Sequence, residues 1–458
     1  MLSRLKNRWL RDDVLSRLFA NAGTLLAGSA GASLLALATN VLAARRLGPS
    51  DFGYLVLLST YTFSIIFGLV SFQSSQAIIH YGARALVGDR QEDFKSLIKF
   101  GFILDVSSAV IGAVIGAASV YFYGRWKNLD PAILTISVIF ALGVLSRFSG
   151  TAVAALKLFN RFDLAAFQQA GAAAARLIGI AILHVRRAGL FWFLIIWLAT
   201  EIIGYLALFI LGWTEMHRRG IRHILKSSLK GITIKFPGIW RFFITSNLHM
   251  TLRVGVRELD IMLVGGILGT AAAGTYKIVR QFAKALGKVD DAMNQAIYPD
   301  LAKNWALGDM ARFRKLLRNP ALLMGSLGVI AWLGFLVLGR PILRLTVGPS
   351  FADSYVPILV YLAGVVIAMA TFHFQSILLA MGHPGDIFRV TLWSMLVYFL
   401  SMFWLAKALN ILGASIAYLG FQTLWSAWMG RSIRGRLKEA PKIRTPAAED
   451  LQVETYLD

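Results

Sequence analysis

The sequence predicts an all-α, polytopic membrane protein with about twelve transmembrane helices. Of its 458 residues, 57% are hydrophobic and 16% are charged, whereas about a quarter of an average soluble protein is charged. Apolar stretches of about 20 residues recur along the whole chain, and that length crosses a bilayer core of about 30 Å. Strand-like alternation with period two is not evident, which argues against an outer-membrane barrel.

We expect two lobes of six membrane spans each. The predicted spans cover residues 21–44, 52–80, 96–123, 132–156, 164–185 and 189–213, and then 239–268, 272–298, 319–339, 355–381, 387–406 and 411–428. The predicted domains are the N-terminal six-helix lobe (1–213), a basic cytoplasmic linker (214–238), the C-terminal six-helix lobe (239–432) and a polar cytoplasmic tail (433–458). The first apolar run is too long for a signal peptide, so we interpret it as the first span.

The distribution of Lys and Arg predicts the orientation. With the N-terminus inside, the cytoplasmic segments carry about three times as many Lys and Arg as the outer loops, as the positive-inside rule requires. The net charge of +23 therefore reflects loop bias, and we expect no nucleic acid partner. The prediction is a multi-pass protein of the bacterial cytoplasmic (inner) membrane with both termini in the cytoplasm.

The chain also repeats itself weakly. RRLGPSDFGY (45–54) matches GILGTAAAGT (266–275), and GDRQEDFKSLIK (88–99) matches GDMARFRKLLRN (308–319). The offsets are 221 for Gly48 and Gly269, and 220 for Gly88 and Gly308. Because each repeat holds an even number of spans, the lobes should be related by a pseudo-two-fold axis along the membrane normal, with a site between them. That arrangement is typical of transporters.

Two spans carry charged faces. In GTYKIVRQFAKALGKVDDAMNQAIYP (274–299), four cations fall within about 80° of one another around a helix, and Asp291 shares their face. In the seventh span, Ser246, His249, Arg253, Arg257 and Asp260 cluster in the same way. The candidate substrate-binding residues are Arg253, Arg257, Lys277, Arg280, Lys284 and Lys288.

These cations require a polar environment. An Arg or Lys at the centre of a membrane helix costs roughly 2.5–3.5 kcal/mol, so four of them facing lipid would cost on the order of 10 kcal/mol. One interpretation is internal pairing, for example Arg257 with Asp260 or Lys288 with Asp291, together with snorkelling near the helix ends. The other is a cavity for an anion, which the excess of cations favours.

Other polar residues in the spans have two interpretations. Asp260, Asp291 and Glu201 are candidate sites for a coupling H⁺ or Na⁺. Arg147, Arg176, Asp105, Glu201 and Glu258 could equally form interhelical pairs. Gln168 and Gln169 could line a hydrophilic passage or hold helices together.

Missing motifs argue against an enzyme. The chain has no cysteine, no P-loop pattern, and no HExxH or GxSxG motif. Its outer loops are short, whereas a membrane polymerase should carry a large catalytic loop. We expect no catalytic residues, no cofactor and no metal.

Several segments resemble one family in order and spacing. NVLAARRLGPSDFGYLVLL, DIMLVGGILGTAAAGTYKIVRQF, AIYPDLAKNWALGDMARFRKLLRN, VGPSFADSYVPILVYL, SILLAMGHPGD and ILGASIAYLGF are similar to segments of the Wzx-type polysaccharide flippases of the MOP exporter superfamily. The resemblance covers about residues 20 to 430.

The resemblance implies a V-shaped bundle that opens alternately to each side. The implied function is a flippase that moves polyprenyl-pyrophosphate-linked oligosaccharide from the cytoplasmic to the outer leaflet for polysaccharide export. The implied partners are this lipid-linked substrate, membrane lipids and other polysaccharide-assembly membrane proteins. The family also implies that the seventh and eighth spans line the cavity, so their cations would attract the pyrophosphate or acidic sugars.

Three alternatives stay open. A lipid II flippase of the same superfamily would also use a cationic cavity, although it typically carries two further helices. A multidrug antiporter would prefer cationic substrates, which the cationic faces disfavour. A membrane glycosyltransferase or polymerase would need a catalytic carboxylate or His in a loop. The basic linker could be a solvated connection or could hold anionic lipid headgroups at the interface.

Overall fold

The computed structural model of the chain describes residues 13–72, 74–88 and 90–438. Side chains are described from residue 31 onward, except at 87, 245–246, 248–257, 284–289, 291–292, 294–296, 298–300, 302, 306 and 384. Within these residues the regular structure is helical throughout, with no strand.

The first half begins with a long helix that bends at Gly48. Its α-helices are α1 (Asp13–Thr60), α2 (Phe67–Val70), α3 (Ser74–Val87), α4 (Gln91–Trp126), α5 (Pro131–Leu142), α6 (Gly150–Leu158), α7 (Phe162–Val185) and α8 (Leu190–Arg218). A π-helix (Tyr61–Ile66) joins α1 to α2, and a 3₁₀ turn (Gly143–Ser146) follows α5.

The second half follows the linker, which contains a 3₁₀ turn (Ile224–Lys226) and the short α9 (Ile232–Lys235). Its helices are α10 (Ile239–Leu268), α11 (Thr270–Ala306), α12 (Met310–Thr346), α13 (Tyr355–Ala370), α14 (Phe374–Ala380) and α15 (Pro384–Lys438), with a 3₁₀ turn (Pro349–Ser354) before α13. The helix α15 is interrupted at Asn410, where the backbone leaves the helical region.

The prediction of a polytopic helical membrane protein is confirmed. Eight helical stretches among the described residues are long and apolar enough to cross a membrane. Two of them contain the bends at Gly48 and Asn410, each of which separates two consecutive predicted spans. With α10 and α11, which carry the charged faces, the described helices occupy all twelve predicted span positions.

Backbone conformation at the turns repeats between the two halves. Gly48 and Gly269 both have positive φ, 74° and 90°, with ψ close to 180°, a combination that favours glycine. Three further pairs of positive-φ residues occupy matching turns, 220 to 223 residues apart: Asn128 and Gly348, Asn160 and Gly382, and Arg187 and Asn410. The internal repeat predicted from sequence is therefore present in the turn geometry as well.

The chain divides into two compact units, Met1–Gly274 and Thr275–Asp458. In the first unit, the ends of α3, α4, α6 and α8 that lie nearest the linker enclose an apolar core around Ile78, Phe94 and Leu97. The second unit has a core around Leu301, Phe313 and Ile377. The helix α10 is grouped with the first unit, and the predicted lobe boundaries at 213 and 239 stay a prediction.

Two spans of the first unit are broken inside the membrane. The second span contains the π-helix and then leaves helical conformation at residues 71–72, and the fourth is irregular at residues 147–149. The π-helix and the 3₁₀ turn that precedes the second break pack against each other. Backbone groups released by such breaks need partners within the protein, and broken spans often border binding sites.

Candidate functional site

The helix predicted to carry the cationic face is continuous. It runs over Thr270–Ala306, and Lys277 and Arg280 lie in its described part. Arg280 is only 7% exposed, and Lys277 is half-buried. Both side chains interact with neighbouring groups of the protein. The side chains of Lys284, Lys288 and Asp291 lie outside the described residues.

A tyrosine cluster packs one turn before Arg280. Tyr276 is fully buried, and its hydroxyl lies 3.2 Å from the hydroxyl of Tyr398. Its ring meets Tyr361 edge-on, and Tyr361 stacks on Tyr418 with ring centres 3.8 Å apart. These contacts hold α11 against α13 and α15, so the backbone that carries Arg280 is fixed within the second unit.

The seventh-span face is described only at its C-terminal end. Asp260 on α10 is 6% exposed, and its Oδ1 accepts a hydrogen bond from the backbone N–H of Ile261 at 2.7 Å. The side chains of Arg253 and Arg257 lie outside the described residues. Earlier on α10, the Asn247 side chain donates to the carbonyl of Ser71, at the break in the second span. The helix α10 therefore supplies a partner for backbone released by that break.

A buried charge cluster lies in the first unit. Glu201 on α8 accepts from Arg176 on α7 at 2.9 Å, and its other oxygen lies 3.6 Å from Arg147 Nη2. The exposed fractions of the side chains are 15% for Glu201, 20% for Arg176 and 14% for Arg147. Two guanidinium groups share one carboxylate, so the cluster has a net charge of +1. The interhelical pairing considered for these residues is present in the structure.

Each arginine of the cluster has further partners. Arg176 Nε donates to the Thr200 hydroxyl at 2.8 Å, and its guanidinium carbon lies 4.8 Å from the centre of the Trp197 ring. Arg147 sits in the break of the fourth span and donates to the carbonyl of Phe63, in the π-helix, at 2.7 Å. Hydrogen bonds and aromatic faces stabilise cations that have left water, so both side chains are held in fixed positions.

Arg176 and Glu201 also line a cavity of about 420 Å³ in the first unit. Gln168, Gln169 and Tyr205 add polar groups, and the remaining wall is mostly alanine from the first and fifth spans. The amide nitrogen of Gln168 donates to the carbonyl of Gly204 at 2.7 Å. The cavity lies within the size range of small-molecule sites, and Gln168 and Gln169 border it as the passage hypothesis expects.

A second buried carboxylate stabilises the broken fourth span. Asp105 on α4 accepts from the backbone N–H of Thr151 at 2.8 Å and from its hydroxyl at 2.7 Å. Thr151 is the second residue of α6, where helical N–H groups lack partners of their own. Asp105 thus acts as a cap from a neighbouring helix, and a structural role accounts for its place in the membrane.

Three residues of the cluster or its immediate surroundings were not predicted from the sequence: Thr200, Trp197 and Tyr205. The contact between Arg176 and Glu201 could nevertheless have been predicted from the sequence. The helices α7 and α8 form an antiparallel hairpin around residues 186–189. Arg176 and Glu201 each lie about ten residues from that turn, hence about 15 Å deep on neighbouring helices. Equal depth predicts contact between opposite charges. The aromatic rings that Arg147 contacts, those of Phe63, Phe67 and Tyr205, come from distant parts of the chain and could not be predicted in this way.

Comparison with known proteins gives a family and a relative. The family model described as "Polysaccharide biosynthesis protein" matches residues 41–357. The chain is 27% identical over 354 residues to the inner membrane protein YghQ of Escherichia coli (strain K12), and the alignment covers 76% of this chain and 97% of that protein.

Two solved structures share the fold. One is an inward-facing conformation of a multidrug resistance MATE family transporter of the MOP superfamily, with a TM-score of 0.70 and 11% identity over 90% of this chain and 96% of that one. The other is the lipid II flippase MurJ in an inward closed conformation, with a TM-score of 0.64 and 13% identity over 90% of this chain and 87% of that one. At such identities the likeness establishes the fold alone.

Proposed function

Since the chain belongs to the polysaccharide biosynthesis protein family, we propose that it is a flippase for polyprenyl-pyrophosphate-linked oligosaccharide. In this proposal it moves the lipid-linked substrate from the cytoplasmic to the outer leaflet for polysaccharide export. Movement would occur by alternating access of two lobes around a cationic cavity. As a transporter, the protein would make or break no covalent bond.

The fold and the family support a role in transport across the membrane. The chain is a multi-pass membrane protein with the fold of MOP-superfamily transporters. The resemblance to the polysaccharide flippases of this superfamily is confirmed by the family match. Its similarity to an inner membrane protein supports the cytoplasmic membrane as its location. The cytoplasmic placement of both termini stays a prediction from loop charge.

The observation that carries the substrate proposal is the buried arginine of α11. Arg280 is 7% exposed on a helix that also carries Lys277, Lys284 and Lys288 on the same face. A pyrophosphate is a compact anion whose desolvation is costly unless cations and N–H donors replace water. We propose that this face, with Arg253 and Arg257 of α10, binds the pyrophosphate of the substrate.

The polar cavity of the first unit supports a second part of the proposal. It offers amide, hydroxyl and guanidinium groups in about 420 Å³, a set suited to the hydroxyl groups of a sugar. We propose that part of the oligosaccharide enters it. Glu201, which lines this cavity, and Asp260 and Asp291, on the charged helices, are the proposed sites for a coupling H⁺ or Na⁺.

Flipping of a fluorescent polyprenyl-pyrophosphate oligosaccharide in proteoliposomes tests the function. We expect Arg280→Ala and Lys284→Ala to lower the flipping rate at least tenfold, because a charge-assisted hydrogen bond is worth about 1.5–3 kcal/mol. Arg280→Lys, which keeps the charge, should retain most of the rate. The matched control is Lys303→Ala, which removes an exposed cation in the last turn of the same helix.

The outcomes separate the alternatives. A wild-type protein that does not flip the probe beside an active control flippase would contradict the proposed function. Equal flipping by wild type and both alanine variants would support the flippase function but would contradict the α11 face as the anion site. A multidrug antiporter is the second candidate, favoured by the TM-score of 0.70 to a MATE transporter. Proton-driven ethidium efflux by the same proteoliposomes would indicate a multidrug antiporter. Flipping of lipid II in place of the probe would indicate a lipid II flippase.

A further inference from the structure

The basic linker, residues 214–238, begins an unusually cationic part of the chain. Between Glu215 and Glu258 the sequence contains no acidic residue, although it contains nine Lys and Arg. Six of these nine lie in the linker itself, which joins the cytoplasmic ends of α8 and α10 by the predicted orientation. A linker that served only to connect two helices would need no such excess of one charge.

The linker is a docked element rather than a loose connection. Ile221, Ile224 and Phe236 are 3%, 1% and 2% exposed, and they enter the apolar core formed by the ends of α3, α4, α6 and α8. Lys235 forms an ion pair with Asp93 at 3.0 Å, and Lys99 donates to the carbonyl of Ser227 at 2.8 Å. The outward face of the linker is therefore presented in a fixed geometry at the ends of membrane helices.

That outward face combines cations with apolar side chains. Arg222, Lys226 and Lys230 are exposed, and among the described residues no acidic side chain pairs with any of them. Beside them, Leu225 is 56% exposed and Ile234 is 83% exposed. Basic residues flanking exposed aliphatic side chains are typical of segments that lie in the interface of an anionic membrane.

We propose that the outward face of the basic linker binds the headgroups of anionic phospholipids, with Leu225 and Ile234 inserted among the upper acyl chains. The three cations supply charge complementarity to the phosphates. The aliphatic pair favours a lipid surface over a soluble acidic partner, because it gains from contact with hydrocarbon. The core contacts of the linker fix its backbone, so the exposed cations and aliphatic side chains keep a constant arrangement.

Native mass spectrometry of the full-length protein in detergent tests the proposal, with phosphatidylglycerol and phosphatidylcholine as probes. We expect the Arg222→Gln/Lys226→Gln/Lys230→Gln variant to bind phosphatidylglycerol about a hundredfold more weakly, since each basic residue at an anionic surface contributes about fivefold. Phosphatidylcholine binding should not change. The matched control is Arg125→Gln/Lys127→Gln/Lys407→Gln, which removes three exposed cations from other parts of the chain and should change binding less than twofold.

Two results would overturn the proposal. One is equal loss of phosphatidylglycerol binding in the linker variant and the control, which would indicate a diffuse charge effect. The other is displacement of the bound lipid by inorganic pyrophosphate at equal concentration, which would assign the cations to a free phosphate group. Leu225→Ser/Ile234→Ser provides an independent arm, and its lipid binding should fall while all charges are kept. Because the readout is binding, the result does not depend on flippase activity.

Discussion

Removal of the Glu201 carboxylate should destabilise the first unit strongly. Glu201→Gln keeps the size of the side chain but removes its negative charge. Among the described residues, no other acidic group lies within 4 Å of Arg176 or Arg147. Both arginine side chains are at least four-fifths buried. Breaking a buried pair from one side costs about 3–5 kcal/mol. The amide oxygen of Gln can still accept from Arg176, so we expect about 3 kcal/mol.

Thermal unfolding in detergent, followed by tryptophan fluorescence, would measure this loss as a fall in Tm on the order of 5 °C. The control is Glu92→Gln, since Glu92 pairs with Lys95 at 2.8 Å but is 77% exposed, and an exposed pair contributes about 0–1 kcal/mol. The double variant Arg176→Gln/Glu201→Gln should be more stable than Glu201→Gln alone, because it buries one unpaired cation fewer. A Glu201→Gln variant as stable as Glu92→Gln would refute the reasoning.

Three further outcomes are expected. Gly274→Ala should lower the free energy of unfolding by about 2 kcal/mol in the same assay, because its Cβ would lie 2.4 Å from the Pro49 carbonyl oxygen. The control Gly266→Ala should not destabilise the protein, because no atom lies within 4 Å of the position of its Cβ. Thr151→Val should lower the free energy of unfolding by about 1–3 kcal/mol, because it removes the 2.7 Å hydrogen bond to Asp105. The control Thr214→Val should change stability little, because the Thr214 hydroxyl donates only to carbonyls of its own helix. Ala36→Phe should fill the polar cavity that Ala36 lines and lower the flipping rate at least tenfold, with Tm unchanged. An unaltered flipping rate would contradict a role for the cavity in transport.

The membrane spans could be predicted because each depends on local composition. Hydropathy identifies only the part of a helix that lies in lipid, however. The ninth span was predicted at 319–339, but its helix is Met310–Thr346. The extra turns at its start carry Arg312, Arg314, Lys315 and Arg318, which a search for apolar residues excludes. Phe313 within those turns is fully buried in the core of the second unit, so packing outside the bilayer continues the helix.

The breaks in the second and fourth spans could not be predicted in the same way. No proline lies within the π-helix Tyr61–Ile66 or at residues 147–149. The irregular backbone is stabilised by groups from elsewhere: Asp105 caps α6, and Arg147 binds the Phe63 carbonyl. Contacts 46 and 84 residues apart in sequence decide these geometries, and no local pattern records them.

The use of acidic residues explains where the excess positive charge can act. The chain has 24 Asp and Glu against 47 Lys and Arg. Among the described residues of the first unit, Glu201 and Glu215 each engage two arginines, and Asp105 serves backbone and hydroxyl donors. Carboxylates with several partners are held in structural pairs and are poorly available to neutralise cations elsewhere. The acid-free stretch from residue 216 to 257 and the cationic face of α11 then stand as two concentrations of positive charge. Cations within a membrane helix are costly unless polar groups surround them, and this is the basis for the proposed pyrophosphate site at α11. Charge complementarity at the membrane interface is the basis for the proposed phospholipid site at the linker.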